Sequence, residues 1–304
     1  MLIDPYGRPV ESIRISVTQR CNLNCFYCHL EGEVAGSSTE MTAQEIQRIA
    51  ELAASFSITR FKLTGGEPLV RSDISEIIQR IKTVHQVEEI SMTTNGVLLA
   101  ERTEQLKKAG LARVNISLDT LQPKAFKKIT GVDALERVVA GVEAAKKAGL
   151  QPIKVNMVLL KGLNENEIPG MIKFTNENGL ILQIIEFESP VEGEIYAKYH
   201  SGLETIEESL KSKARKVVVR PMHHRKKYFL NNGAEVEIVR PMHNTEFCQH
   251  CNRIRVTSDG KLKPCLFRND NLVDILEPIR KGASKETLKT LFLTAVKQRK
   301  PYFT

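Results

Sequence analysis

The stretch Arg14-Ile15-Ser16-Val17-Thr18-Gln19-Arg20-Cys21-Asn22-Leu23-Asn24-Cys25-Phe26-Tyr27-Cys28 reads as a β-rich run that delivers three cysteines, spaced x3 then x2, into a loop. Three soft thiolates are one short of the four that close a structural zinc or iron–sulfur site. A metal group held here keeps a position open for a small molecule. The β-run recurs, and strands are expected at Arg14–Thr18, Arg60–Leu63, Glu89–Thr93, Arg113–Leu118, Lys154–Leu159 and Leu180–Phe187. Helical periodicity fills the gaps, at Ala43–Ser55, Asp73–Val84, Glu101–Ala109, Ala134–Ala148 and Glu165–Glu177. Thr42 and Glu45 form a capping-box pattern. Gly110, Gly149 and Gly179 stand where left-handed helix ends are expected.

Six strands alternating with helices predict an α/β fold with a parallel sheet and right-handed crossovers. Six units are too few for a closed eight-stranded barrel, so a curved partial (βα)6 TIM-like barrel is expected, with its chemistry at the C-terminal ends of the strands. The motifs fall there. The first cysteine triplet follows strand one, Gly65-Gly66-Glu67-Pro68 follows strand two, Thr94-Asn95-Gly96 follows strand three, and Ser117-Leu118-Asp119 ends strand four.

After residue 190 the pattern changes. Hairpins are expected around Asn231-Asn232-Gly233, joining Lys226–Leu230 to Glu235–Val239, and around Ser258-Asp259-Gly260, joining Arg253–Thr257 to Lys261–Leu266. Helices at Leu272–Arg280 and Lys285–Gln298 finish the chain. The second hairpin is bracketed by a second triplet, Cys248-x2-Cys251-x13-Cys265, which accounts for the remaining cysteines. Two domains follow: a partial barrel over 1–190 and a C-terminal α+β domain over 191–304 carrying the second metal group, with 192–215 as the boundary region.

Rival readings exist for the cysteines. Disulfides suit an oxidising compartment and a small, core-poor domain, whereas this chain is 304 residues long and shows no apolar signal segment at its N-terminus. Zinc at the second triplet stays open, with His243 or His250 as fourth ligand. His223 and His224, beside Arg225-Lys226-Lys227, read as a solvated basic turn. The net charge of +8 is moderate, and with no Trp and 6% aromatics the chain lacks stacking platforms for single-stranded nucleic acid. A basic cluster facing a small polyanion fits better. No apolar run reaches membrane-spanning length.

The loop Cys21-x3-Cys25-x2-Cys28, with Tyr27 just before the last cysteine, resembles the cluster-binding loop of radical S-adenosylmethionine enzymes, and Gly65-Gly66-Glu67-Pro68 resembles their methionine-binding motif. Arg14–Arg20, Phe61–Arg71, Thr93-Thr94-Asn95-Gly96, Asn115–Asp119 and Phe247–Arg255 with Ser258–Lys261 and Cys265-Leu266-Phe267 resemble, within that superfamily, the GTP 3′,8-cyclase family. The resemblance spans about residues 4–298. It implies two [4Fe–4S] clusters, each on one triplet, and S-adenosylmethionine as the source of a 5′-deoxyadenosyl radical. That radical takes the ribose C3′ hydrogen of GTP, and C3′ then attacks guanine C8, in the first step of molybdenum cofactor biosynthesis. Glycines 65 and 66 would let the backbone approach the methionyl group.

Carried over by position, Tyr27, Gly66, Ser117 and Glu188 would contact S-adenosylmethionine. Arg14, Lys62, Thr93, Lys154, Arg253 and Arg255 would contact GTP, the last two from one face of a strand. Asp119 would orient groups at strand four. The resemblance further implies a homodimer, a cytoplasmic setting, an external electron donor and a downstream enzyme that forms the cyclic pyranopterin. The chain departs from the family at Arg60-x-Lys62 (commonly Lys-x-Arg), at Gln183 (an expected Arg), at Glu188 (often Met) and at Lys300–Thr304, where bacterial members carry a Gly-Gly tail. The alternatives are another radical enzyme with an auxiliary cluster, such as a peptide maturase, and a non-enzymatic iron–sulfur electron carrier.

Overall fold

The protein is seen in a computed structural model that describes residues 2–34, 36, 39–189 and 192–304. Two short strands, β1 (Leu2–Ile3) and β2 (Pro9–Val10), pair with each other and lead into β3 (Ser12–Ser16). Five more strands lie beside β3 in chain order, all parallel: β4 (Arg60–Thr64), β5 (Glu89–Thr94), β6 (Arg113–Ser117), β7 (Lys154–Leue159) and β8 (Ile181–Glu186).

 The helices between them are α1 (Ala43–Ala54), α2 (Ile74–Lys82), α3 (Leu99–Ala109), α4 (Pro123–Thr130), α5 (Leu135–Lys147) and α6 (Ile168–Glu177). The Thr42–Glu45 capping box opens α1, and Gly110, Gly149 and Gly179 all take positive φ. Strand and helix ends differ from the sequence reading by one or two residues, with two larger departures. Helix α4 was not expected, although Pro123 at its start, Gly131 in a left-handed conformation at its end and buried Phe126, Ile129 and Thr130 mark it. Helix α6 begins three residues late, with Glu165–Glu167 forming a separate 3-10 turn before Pro169 enters its first turn.

Alternation along these strands divides the sheet into two faces. Ile13, Ile15, Phe61, Leu63, Ile90, Met92, Val114, Ile116, Val155, Met157, Leu182 and Ile184 are buried in the main apolar core. The residues between them, Arg14, Lys62, Ser91, Thr93, Asn115, Ser117, Lys154, Asn156 and Gln183, line a cavity.

The C-terminal part of the chain extends this sheet at both edges. The region read as a boundary holds α7 (Glu194–Tyr199), α8 (Glu204–Lys213) and β9 (Ala214–Val219). Strands β10 (Lys226–Leu230) and β11 (Glu235–Val239) form the expected hairpin, and β11 pairs parallel with β8. After α9 (Thr245–Gln249), β12 (Arg253–Val256) crosses to the far edge and pairs parallel with β3, followed by β13 (Lys261–Lys263) and β14 (Val273–Asp274). The expected helix at 272–280 is therefore a strand followed by α10 (Leu276–Arg280), and α11 (Lys285–Lys297) closes the described elements. The result is a mixed α/β sheet of twelve strands. The expected domain border at 190 and 191 lies outside the described residues.

Candidate active site

The first cysteine loop is pressed onto the turn after β4. The Gly66 amide donates to Thr18 O at 2.8 Å and the Glu67 amide to Arg20 O at 2.8 Å. A Cβ on Gly66 would lie 2.3 Å from Arg20 O, and one on Gly65, whose φ is +145°, would lie 2.3 Å from Thr18 O. These glycines therefore admit the cysteine loop's own backbone, a contact the sequence reading had assigned to a ligand. Arg71 holds the loop from behind, donating to Val17 O at 2.8 Å and Met41 O at 2.9 Å.

Glu67 is fully buried and ties three motifs together. It accepts from Leu69 N, Thr94 Oγ1 and Asn95 N at 2.9, 2.8 and 2.6 Å. Burial raises its carboxyl to about 7 against the pull of those donors. Asn95 in turn donates to Asn22 Oδ1 at 2.8 Å and points its amide at Cys21 Sγ, 3.7 Å away. Asp119 accepts from the Tyr27 hydroxyl at 2.6 Å and from Val158 N at 2.8 Å, so it fixes the aromatic of the cysteine loop against β7. Burial raises Asp119 to about 6. Burial also pushes all three thiols up, and nearby carboxylates add to this: Glu67 at Cys21, Asp119 at Cys25 and Glu31 at Cys28.

The second triplet has basic surroundings that the sequence reading missed. Arg8 donates to Cys248 O at 2.8 Å, and Arg299, wholly buried, donates to Cys251 O at 2.5 Å. Asp4 pairs with both arginines, at 2.8 and 3.1 Å. Burial acts to raise the Cys251 thiol, but Arg299, Arg253 and Arg8 outweigh it and draw the thiol down. The histidines weighed as zinc ligands are engaged elsewhere: His243 with Glu192 at 2.7 Å, and His250 through Nδ1 with Glu246 O at 2.9 Å.

Both triplets face one cavity of about 820 Å³. Tyr27, Gly66, Ser117 and Glu188 line it, as do Arg14, Lys62, Thr93, Lys154, Arg253 and Arg255. Glu188 pairs with His29 at 3.2 Å. Arg14 and Arg255 are register neighbours on β3 and β12. Between them sits Glu31, which accepts from Arg14 at 3.1 Å, from Arg255 at 2.5 Å and from Thr64 Oγ1 at 2.7 Å. Burial opposes its charge, yet Arg14 and Arg255 hold its carboxyl well below the usual range. The next two residues reach the second triplet's loop. A Cβ on Gly32 would lie 2.1 Å from Leu266 O, and Glu33 accepts from Ser258 Oγ at 2.6 Å. One tripeptide thus braces the two cysteine loops against each other.

Lys154 gives its ammonium to Glu237 at 2.6 Å, and Arg220 pairs with the same carboxylate at 2.6 Å. Lys62 donates to Asn115 Oδ1 at 3.0 Å, and burial among Arg113, Arg14 and Arg253 lowers it well below the ordinary lysine value. His223 corrects the solvated-turn reading. Its ring stacks on Phe247 with centroids 3.9 Å apart and lines the cavity. Burial, then Arg253 and Arg225, push its pKa well down.

The donor sets fit the implied groups. Each triplet offers three sulfurs and no fourth protein ligand, and the carboxylate-rich end can take a cation while the guanidinium-rich end can take a polyanion.

Known proteins point the same way. Residues 15–175 match the Radical SAM superfamily and residues 180–304 match Molybdenum Cofactor Synthesis C. A probable GTP 3′,8-cyclase of Thermococcus kodakarensis is 50% identical, covering 100% of both chains. One of Methanocaldococcus jannaschii is 48% identical over 99% of this chain and 98% of its own. Among solved structures, Streptococcus suis SuiB bound to S-adenosylmethionine aligns with a TM-score of 0.65 at 18% identity, over 88% of this chain and 64% of that one. The anSMEcpe enzyme with bound AdoMet aligns with a TM-score of 0.67 at 18% identity, over 95% of this chain and 82% of its own. At that identity these two speak for the fold alone.

Proposed function

Since the chain belongs to the radical S-adenosylmethionine superfamily and, within it, to the GTP 3′,8-cyclase family, we propose a division of labour within its cavity. The enzyme converts GTP to (8S)-3′,8-cyclo-7,8-dihydroguanosine 5′-triphosphate, the first step of molybdenum cofactor biosynthesis. The cofactors are two [4Fe–4S] clusters and S-adenosylmethionine, which when bound supply the reductive radical chemistry. Cys21, Cys25 and Cys28 would hold one cluster, and Cys248, Cys251 and Cys265 the other. The observation that carries this assignment is the single cavity between two incomplete thiolate sets, acidic at one end and basic at the other.

At the acidic end, Tyr27, Gly66, Ser117 and Glu188 would seat S-adenosylmethionine, with Asp119 holding the Tyr27 ring in place. At the basic end, Arg14, Lys62, Thr93, Lys154, Arg253 and Arg255 would seat GTP. Glu31 keeps the forks of Arg14 and Arg255 oriented and would yield part of that contact to phosphate oxygens. The partial barrel of 1–190 would carry the radical site and 191–304 the auxiliary site. An electron donor, a homodimer, a cytoplasmic setting and hand-over to the cyclic pyranopterin-forming enzyme complete the reading. Among the described residues, no helix is long and apolar enough to cross a membrane.

The test is anaerobic. The protein is reconstituted with iron and sulfide, reduced with dithionite and given S-adenosylmethionine and GTP. Matched formation of 5′-deoxyadenosine and a GTP isomer of unchanged mass is expected. Deoxyadenosine without change in GTP would return the peptide-maturase alternative.

A further inference from the structure

The cations of the cavity divide by their partners. Arg14 and Arg255 share Glu31, and Lys154 and Arg220 share Glu237. Arg225 and Arg253 have no carboxylate within ion-pair distance among the described residues. Both guanidiniums instead meet one neutral sulfur, that of Met222, at 3.8 and 3.3 Å. A thioether is a weak acceptor, and Arg225 Nε is buried with no hydrogen-bond partner at all. Two buried like charges on one sulfur are costly unless an anion completes the arrangement.

The turn that carries Arg225 is held in place. His223 and His224 adopt φ of +62° and +46°. The His223 amide donates to His250 O at 2.8 Å, and His224 Nδ1 lies 2.8 Å from Glu246 Oε1. These contacts fasten the turn to the segment bearing Cys248 and Cys251, and they direct Arg220, Met222, His223 and Arg225 into the cavity.

We propose that Arg225 is a further substrate-binding residue, closing with Arg253 on the polyphosphate of the nucleotide and setting the preference for a triphosphate over a monophosphate. This rests on the GTP reading above. A planar fork suits bidentate contact with phosphate oxygens. Arg225 approaches from the turn after β9, while Arg253 rises from β12, so the two can grip the chain from different sides. Burial and the neighbouring Arg220 and Arg14 press on the charge of Arg225, with Glu237 offsetting part of this, which is consistent with a site awaiting negative charge.

The experiment measures GTP and GMP binding by calorimetry on the reconstituted, unreduced protein and its R225A and R225K variants, with iron content and Tm as folding controls. R225A should weaken GTP binding about tenfold or more and GMP binding less than about twofold, as loss of a charged hydrogen bond to the distal phosphates requires. Equal losses for both nucleotides, or none, would overturn the assignment. R225K keeps the charge without the fork, and should weaken GTP about threefold with GMP unmoved; it decides the matter if R225A fails to load iron, and unchanged GTP binding in it would overturn the proposal. If the unsubstituted protein binds neither nucleotide, the GTP reading falls and this inference with it, whereas normal wild-type binding with unaltered variants removes Arg225 alone.

Discussion

At the Cys21–Cys28 end of the cavity the thiols sit among carboxylates, with Glu67, Asp119 and Glu31 each adding to the upward push of burial. At the Cys248–Cys265 end, Arg8, Arg253 and Arg299 surround Cys251 and draw its thiol down. The same kind of ligand set thus stands in opposite fields about one cavity. The difference follows what each end must hold beside its metal group. An acidic end favours a sulfonium and an ammonium; a basic end favours a polyphosphate. If that comparison is sound, damage at one end should leave the other end's chemistry recognisable.

The largest effects test that separation. Cys25→Ala should abolish cleavage of S-adenosylmethionine, because the radical site loses a ligand from a set that has none to spare. Cys251→Ala should abolish GTP conversion while reductive cleavage of S-adenosylmethionine persists. Iron analysis, expected to fall from about eight to about four per chain in each variant, together with deoxyadenosine counts, checks both. Loss of deoxyadenosine in Cys251→Ala would mean that the ends are not separable.

Glu31 joins the two halves, and Glu31→Gln should strike the basic one. Removing the carboxylate leaves Arg14 and Arg255 buried side by side without their partner, a loss of about 3–5 kcal/mol for a broken buried pair. Thermal unfolding measures it. The sign with pH follows from the depressed carboxyl. Its folded value lies below the ordinary 4.5, so its contribution is whole above about pH 4.5 and is lost as pH falls further. The wild type should lose stability over that acid range more steeply than Glu31→Gln, and parallel acid limbs would remove Glu31 from the account.

Much of this was legible in the chain. The four rim motifs could be placed because each follows its own strand, and strand alternation puts Arg14, Lys62, Thr93 and Lys154 on the cavity face whatever the details of packing. What the sequence hid was pairing over distance. Arg255 meets Glu31 across 224 positions and Arg8 meets Cys248 across 240, and no local periodicity reports such contacts. Glu237 reads as one residue of a hairpin strand, and only the parallel pairing of β11 with β8 brings it toward Lys154. The glycines after β4 were recognised, but their physical cause was misread: the atoms that need the room belong to Thr18, Gln19 and Arg20. Helix α4 was missed because its apolar residues are few, although its proline start and glycine stop are ordinary signals.

A middle-sized effect concerns the brace itself. Gly32→Ala would place a Cβ 2.1 Å from the carbonyl of Leu266, at a φ of +69°. Backbone cannot swing aside as a side chain does, so the two loops must part, and a cost of about 1–3 kcal/mol is expected. The informative readout is the ratio of deoxyadenosine formed to GTP consumed. Moving the loops apart should raise that ratio as cleavage becomes uncoupled from substrate, even where both clusters load. A destabilised variant with an unchanged ratio would make Gly32 a packing residue only.

The smallest effect isolates the acidic end. Tyr27→Phe removes one hydroxyl and leaves the Asp119 carboxylate with Val158 N as its remaining side-chain-directed donor. Losing a hydrogen bond to a charged group costs about 1.5–3 kcal/mol, less whatever the ring keeps by packing on Phe187. Asp119, already raised to about 6 by burial, should rise further once the phenol no longer favours its ionised form. The KM for S-adenosylmethionine should therefore increase, and increase more below pH 7 than above it, while the KM for GTP stays near the wild-type value. A GTP effect as large as the S-adenosylmethionine effect would show that Asp119 and Tyr27 govern the cavity as a whole, and the division into an acidic and a basic end would lose its meaning for catalysis.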